Sequence, residues 1–168
     1  MSEFLVQVRE KSIEAVHSGD IKALYALVET HNEELNDEIE QGLYGNILEL
    51  ALELLTNALE SKDKLSLKDE QQYYTLRALY EYAISHYSGQ HFKDAKALFE
   101  VLEGTAKEEE FIRSMKIHAA AAEKEIDIDS FIDDFCIVNE KLDDFYIKEY
   151  KKEAQDLLDK TKDTRDKK

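Results

Sequence analysis

Nowhere in its 168 residues does this chain carry a proline, and it has only five glycines. Strands need turns, and tight turns are built from Gly, Pro, Asn and Asp at set positions. A β-sandwich or a doubly wound α/β domain of this length would require far more of that turn chemistry. The chain is therefore expected to be all-α, with helices joined by short polar connections. Hydrophobic residues are 43% of the total, enough for a core, and the length suits one domain.

The apolar periodicity predicts a single-domain bundle of about seven helices over residues 1–158. Ser2 is placed to cap a first helix carrying Leu5, Val8, Ile13 and Val16, which Gly19 ends. Asp20 caps a second, with Ile21, Leu24, Leu27 and Val28 inward and a restart at Thr30–Glu33, whose spacing is that of a capping box. Gly42 to Asn46 reads as a flexible break. It precedes ILELALELLTNAL (47–59), apolar on more than one face and so the expected central helix. Ser66 with Asp69 opens a helix to Ser88. After Gly89 a shorter one carries Phe92, Ala95, Phe99 and Leu102. Thr105 with Glu108 has the spacing to open the next, through Phe111, Ile112, Met115 and Ile117. Asp129 would cap a last long helix with Phe131, Phe135, Val138, Leu142 and Phe145 along one side. Residues 159–168 contain no apolar side chain and are expected to be a charged, disordered tail.

Charge excludes several functions. The net charge is −16, and it is concentrated in residues 1–147, which hold 32 acidic and 14 basic side chains. Such a surface repels phosphate backbones and anionic lipid, so neither nucleic-acid binding nor membrane binding is expected. No apolar run reaches the ~20 residues of a membrane span. The opening MSEFLVQVREKSIEAV has acids where a signal peptide needs an uninterrupted apolar stretch, and Cys136 is the only cysteine. Both point to a reducing cytoplasm.

Chemistry is sparse. The histidines lie at 17, 31, 86, 91 and 118. His86 and His91 are five apart across Gly89, whereas a helical zinc site places its histidines four apart beside a carboxylate or paired cysteines. DIDSFIDD (127–134) has no glycine at its sixth position and holds Phe131 and Ile132, so it is read as a helix start and not a calcium loop. Cys136, in DFCIVNE, sits beside acids that blunt a thiolate. No phosphate loop or nucleophile elbow occurs. No catalytic residue, metal or cofactor is expected.

Aromatic residues are the remaining signal. QQYYTLRALYEYAISHY (71–87) holds five tyrosines, more than one buried stripe uses. Tyr80, Ile84 and Tyr87 share one helix face, with Arg77 a turn before. Tyrosine suits a binding face, being large, rigid and polar at its tip. Core packing is the alternative.

Residues 76–107 resemble a tetratricopeptide repeat. With Ala95 on the small position of the second helix, Leu79 and Tyr82 fall on large apolar positions of the first and Ala83 on its small contact. Phe92, Phe99 and Leu102 take the apolar positions of the second. His86 stands where tyrosine is usual, Gly89 comes one residue early, and Lys107 replaces the closing proline. Within that family the turn, with Tyr87, Ser88, Gly89, Phe92, Asp94, Ala95 and Phe99, is similar to the helical chaperones of type III secretion translocators. KALYALVE (22–29) and KALFEVLE (96–103) align residue for residue, each after a Ser-Gly pair. The overall layout also looks like a flagellar export co-chaperone of the kind that binds the flagellin chaperone FliS. The resemblance places Arg77, Tyr80, Ile84 and Tyr87 on the ligand-facing side of the first helix. It implies a non-enzymatic, cytoplasmic chaperone or co-chaperone covering an amphipathic helix of another export chaperone or its client. A scaffolding subunit acting through self-association is the alternative.

Overall fold

The structure, a computed structural model, describes residues 3–31, 33–138 and 144–166. Ser2, Leu142, the middle of the Thr30–Glu33 segment and the last two residues of the tail lie outside them. The all-α expectation holds. The described residues form eight helices: α1 (Glu3–Ser18), α2 (Ile21–His31), α3 (Asp37–Ser61), α4 (Glu70–Ser88), α5 (Phe92–Thr105), α6 (Glu109–Glu123), α7 (Ile128–Phe135) and α8 (Lys152–Asp166). The only strands among them are β1 (Cys136–Ile137) and β2 (Glu149–Tyr150), an antiparallel pair with Cys136 opposite Tyr150. No described helix is long and apolar enough to cross a membrane. Two compact units are distinguishable, Met1–Ala78 and Leu79–Lys168.

In the first unit α2 packs against both α1 and α3. Gly19 ends α1 in the left-handed conformation (φ 71°), and the Asp20 carboxylate accepts from Ala23 N at 3.1 Å, as the sequence predicts. Ile21, Leu24 and Tyr25 are sealed on α2, and Leu43, Ile47 and Leu50 on α3. The N-cap of α3 is Asn36, which accepts from Ile39 N at 2.9 Å, and not Asn46. The helix runs straight through Gly42 and Gly45, where a break was expected. A mid-helix glycine costs only about 1 kcal/mol, and Leu43, Ile47 and Leu50 keep the apolar face in register across it. The 47–59 stretch is not a surrounded central helix, since Leu52 and Leu59 on its outer side stay exposed.

The second unit is built on α5 and α6, which pack along much of their lengths, with α8 against α6. Ala119, Ala120, Ala121 and Ala122 are all sealed, so α6 has no solvated side over that turn. Three sequence-predicted caps shift. Thr105 is buried within α5, its hydroxyl donating to Val101 O at 2.6 Å, so it opens nothing. Gln90 and not Gly89 takes the left-handed turn conformation (φ 63°). Asp127 and not Asp129 caps α7, accepting from Ser130 N at 2.9 Å, which holds its carboxyl below the usual range. The expected long last helix stops at Phe135. Cys136 and Ile137 are a strand-favouring pair that meets β2, and beyond it Tyr146 turns onto Phe111 at 4.9 Å between ring centroids. Residues 159–166 are helical where a disordered tail was expected. The buried Ala154 and Leu157 anchor α8, and extending a formed helix is far easier than starting one.

Candidate protein-binding surface

Helix α4 does not present the tyrosine face that the sequence suggests. Tyr80 is 5% exposed and Tyr87 1%, so both are core residues, and the expectation of a partner-facing row is corrected. The physical reason is that α4 is the helix buried around most of its circumference. Thr75, Leu76, Ala78, Leu79, Tyr80, Ala83 and Tyr87 are all sealed. Five tyrosines exceed what a one-sided helix buries, but not what a surrounded one does. Ile84 is half-buried. Arg77 is occupied within the first unit. Its guanidinium lies 4.3 Å from the centre of the Tyr25 ring and pairs with Glu29 at 2.9 Å.

The buried tyrosine tips all find partners, as apolar rings with polar ends require. Tyr87 donates to Ile126 O. Tyr80 Oη lies 2.8 Å from His118 Nε2. His118 Nδ1 lies 2.7 Å from Ser114 O, and a carbonyl can only accept, so Nδ1 carries the proton and Nε2 accepts from Tyr80. Ser114 Oγ donates to Ile147 O at 2.7 Å, and Tyr150 Oη donates to the same carbonyl at 2.8 Å. His118 is fully buried, with Phe99 at 4.9 Å and Phe131 at 5.0 Å between ring centroids. Burial drives its pKa from 6.5 down to about 4, against the opposing bond to Ser114. Burial likewise raises the pKa of Tyr80, Tyr87 and Tyr150. This network is a neutral, hydrogen-bonded core without an opening for substrate. The sequence reading missed it, although His118 follows Ser114 by four and Phe111 by seven, the spacing of one inward face.

The exposed apolar surface lies elsewhere, on α1. That helix seats small residues inward: Val8 is buried together with Ser12 and Ala15. Its larger apolar residues point out, with Val6 39%, Ile13 59% and Val16 42% exposed. Ile13 and Val16 were expected to be packed, so their exposure is a correction. Between α1 and α3, which touch over only a short stretch, runs an open groove of about 410 Å³. Its α1 wall is Leu5, Val8, Arg9 and Ser12, and its α3 wall is Ile39, Gly42, Leu43 and Asn46. Val6, Arg9, Ile13 and Val16 follow one another at three- and four-residue steps, so the exposed stripe lies along the groove's α1 edge. Gly42 leaves the opposite wall low, since a Cβ added there would meet nothing within 4 Å.

No known protein family, curated protein or solved structure matches this chain.

Proposed function

We propose that the chain is a non-enzymatic protein-binding module that covers an amphipathic helix of a partner, as an export chaperone or co-chaperone in the cytoplasm does. The observation that carries this reading is the orientation of α1. A helix that buries Ser12 and Ala15 while exposing Val6, Ile13 and Val16 loses apolar burial on its own and recovers it only against another molecule. The groove beside that stripe has the form that receives a helix by its apolar ridge. The tetratricopeptide-like hairpin and the likeness in layout to flagellar export co-chaperones supply the kind of client, an export chaperone or its cargo. On this reading the hairpin at 76–107 is scaffold, because its tyrosines are spent on the core.

Light scattering coupled to size exclusion tests the proposal, on the chain alone and mixed with a purified flagellin chaperone. The expected result is a monomer that gains the partner's mass, and an Ile13→Ser/Val16→Ser variant that keeps its circular dichroism and loses the complex. A chain that forms the same assembly alone, through the same stripe, would instead make it a self-associating structural subunit.

A further inference from the structure

The groove carries charge as well as shape. From Gly42, steps of four and seven along α3 reach Asn46 and then Glu49, a further four reach Glu53, and four back reach Glu38. Glu38, Glu49 and Glu53 are all exposed, so the outer edge of the α3 wall is acidic over several turns. The α1 wall differs. Its outer edge is the stripe of Val6, Ile13 and Val16, interrupted by one cation, Arg9, which lines the groove itself. The acids of α1 lie on its other side, where Glu14 lines the separate concavity between α1 and α2. The groove is thus apolar on its floor, acidic along one edge, and apolar with a single positive charge along the other.

We infer that this groove receives a partner helix with an apolar ridge and one basic flank, the basic flank lying against Glu38, Glu49 and Glu53. The inference rests on the reading of the chain as a protein-binding module and adds the chemistry of the partner and its orientation. Charge complementarity fixes that orientation. Turned end for end about the ridge, the same helix would set its basic flank against Arg9 and leave the acidic edge unmatched, and like-charge juxtaposition is what excludes wrong registers at interfaces. The overall negative charge steers such a helix toward the protein, while the groove decides where it lands.

The test uses two fluorescent peptides of about eighteen residues, five helical turns. They share one leucine ridge, one with lysine along a single flank and the other with glutamate there. Anisotropy is measured on the full chain at physiological salt. The lysine peptide should bind and the glutamate peptide should bind at least about tenfold more weakly. Gly42→Leu fills the open groove from its low wall. It should weaken the lysine peptide by about tenfold or more. The same variant should melt no lower than the parent, because leucine is a better helix former than glycine and meets open space there. Glu49→Gln/Glu53→Gln should weaken binding by roughly fivefold. Glu10→Gln/Glu14→Gln removes the same charge away from the groove and should leave affinity within about twofold. Equal binding of both peptides, an indifferent Gly42→Leu, or equal losses from the two glutamate pairs would overturn the assignment. If neither peptide binds while the chain still gains the mass of a protein partner, this inference fails and the wider reading stands. If the Ile13→Ser/Val16→Ser variant also retains that partner, both fail.

Discussion

Acidification should destabilise the second unit through one residue, His118. Its ring is fully buried, donates from Nδ1 to Ser114 O and accepts at Nε2 from Tyr80, so a second proton would have to displace the tyrosine hydrogen bond in an apolar surround. Above pH 6.5 neither the folded nor the unfolded chain protonates this ring, and its full contribution is present. Between pH 6.5 and about 4 the unfolded chain takes up a proton that the folded one refuses, so stability falls throughout that window. Below about pH 4 both states are protonated and the loss stops growing. At about 1.36 kcal/mol for each pH unit, the whole loss is about 3 kcal/mol, a large share of the 5–15 kcal/mol typical of a domain. Urea denaturation followed by circular dichroism measures it, in steps from about pH 7.5 to about pH 4. Carboxylates contribute in the same range, so the parent is compared with His118→Gln. That variant should be weaker at neutral pH by about 1–3 kcal/mol for its disturbed hydrogen bonds, and its stability should fall by about 3 kcal/mol less on acidification. Parallel pH curves for the two proteins would refute the argument, since they would show that the ring's protonation is not linked to folding.

Three further outcomes follow from the packing. Replacing both Tyr80 and Tyr87 by serine removes two sealed rings at about 3–5 kcal/mol each and should leave no cooperative thermal transition; a folded double variant would mean that α4 is not the core helix described. Leu24→Ala, at a fully sealed position of α2, should lower stability by about 2–5 kcal/mol in chemical denaturation, and a loss under about 1 kcal/mol would mean that the first unit is loosely packed. Asp127→Ala removes the cap of α7 and should cost about 0.5–2 kcal/mol, measurable as a lower thermal midpoint, with no change expected for Asp129→Ala.

The helical class and most helices were legible in the sequence, because a chain without proline and with few glycines leaves one kind of local structure, and the apolar periods at Ile21–Val28 and Phe92–Leu102 are sharp. Boundaries were misread where two rules competed. Gly42 and Gly45 look like punctuation, but the register of Leu43, Ile47 and Leu50 outweighs them. Thr105 and Glu108 have capping-box spacing, but the threonine hydroxyl is already taken by Val101 O. The long run after Asp129 keeps a helical period that a two-residue ladder interrupts, and no local signal announces a partner strand more than ten residues away. The site was misplaced for a different reason. Periodicity tells which residues share a face, not which face turns inward. On α4 every face is claimed, whereas on α1 the small face is inside and the large one outside, an inversion that only the packed neighbours reveal.

The single cysteine has a practical consequence. Cys136 is 3% exposed, its thiol is pushed by burial up to about 12, and it stands in the ladder opposite Tyr150. A thiol reagent needs both access and thiolate, and the closed state denies it both. The rate at which an aromatic disulfide colours a solution of this protein is therefore a clock for excursions that part β1 from β2. It reads out their frequency at one place, in the unaltered chain, with no label to introduce and no second sulfur to confuse the count.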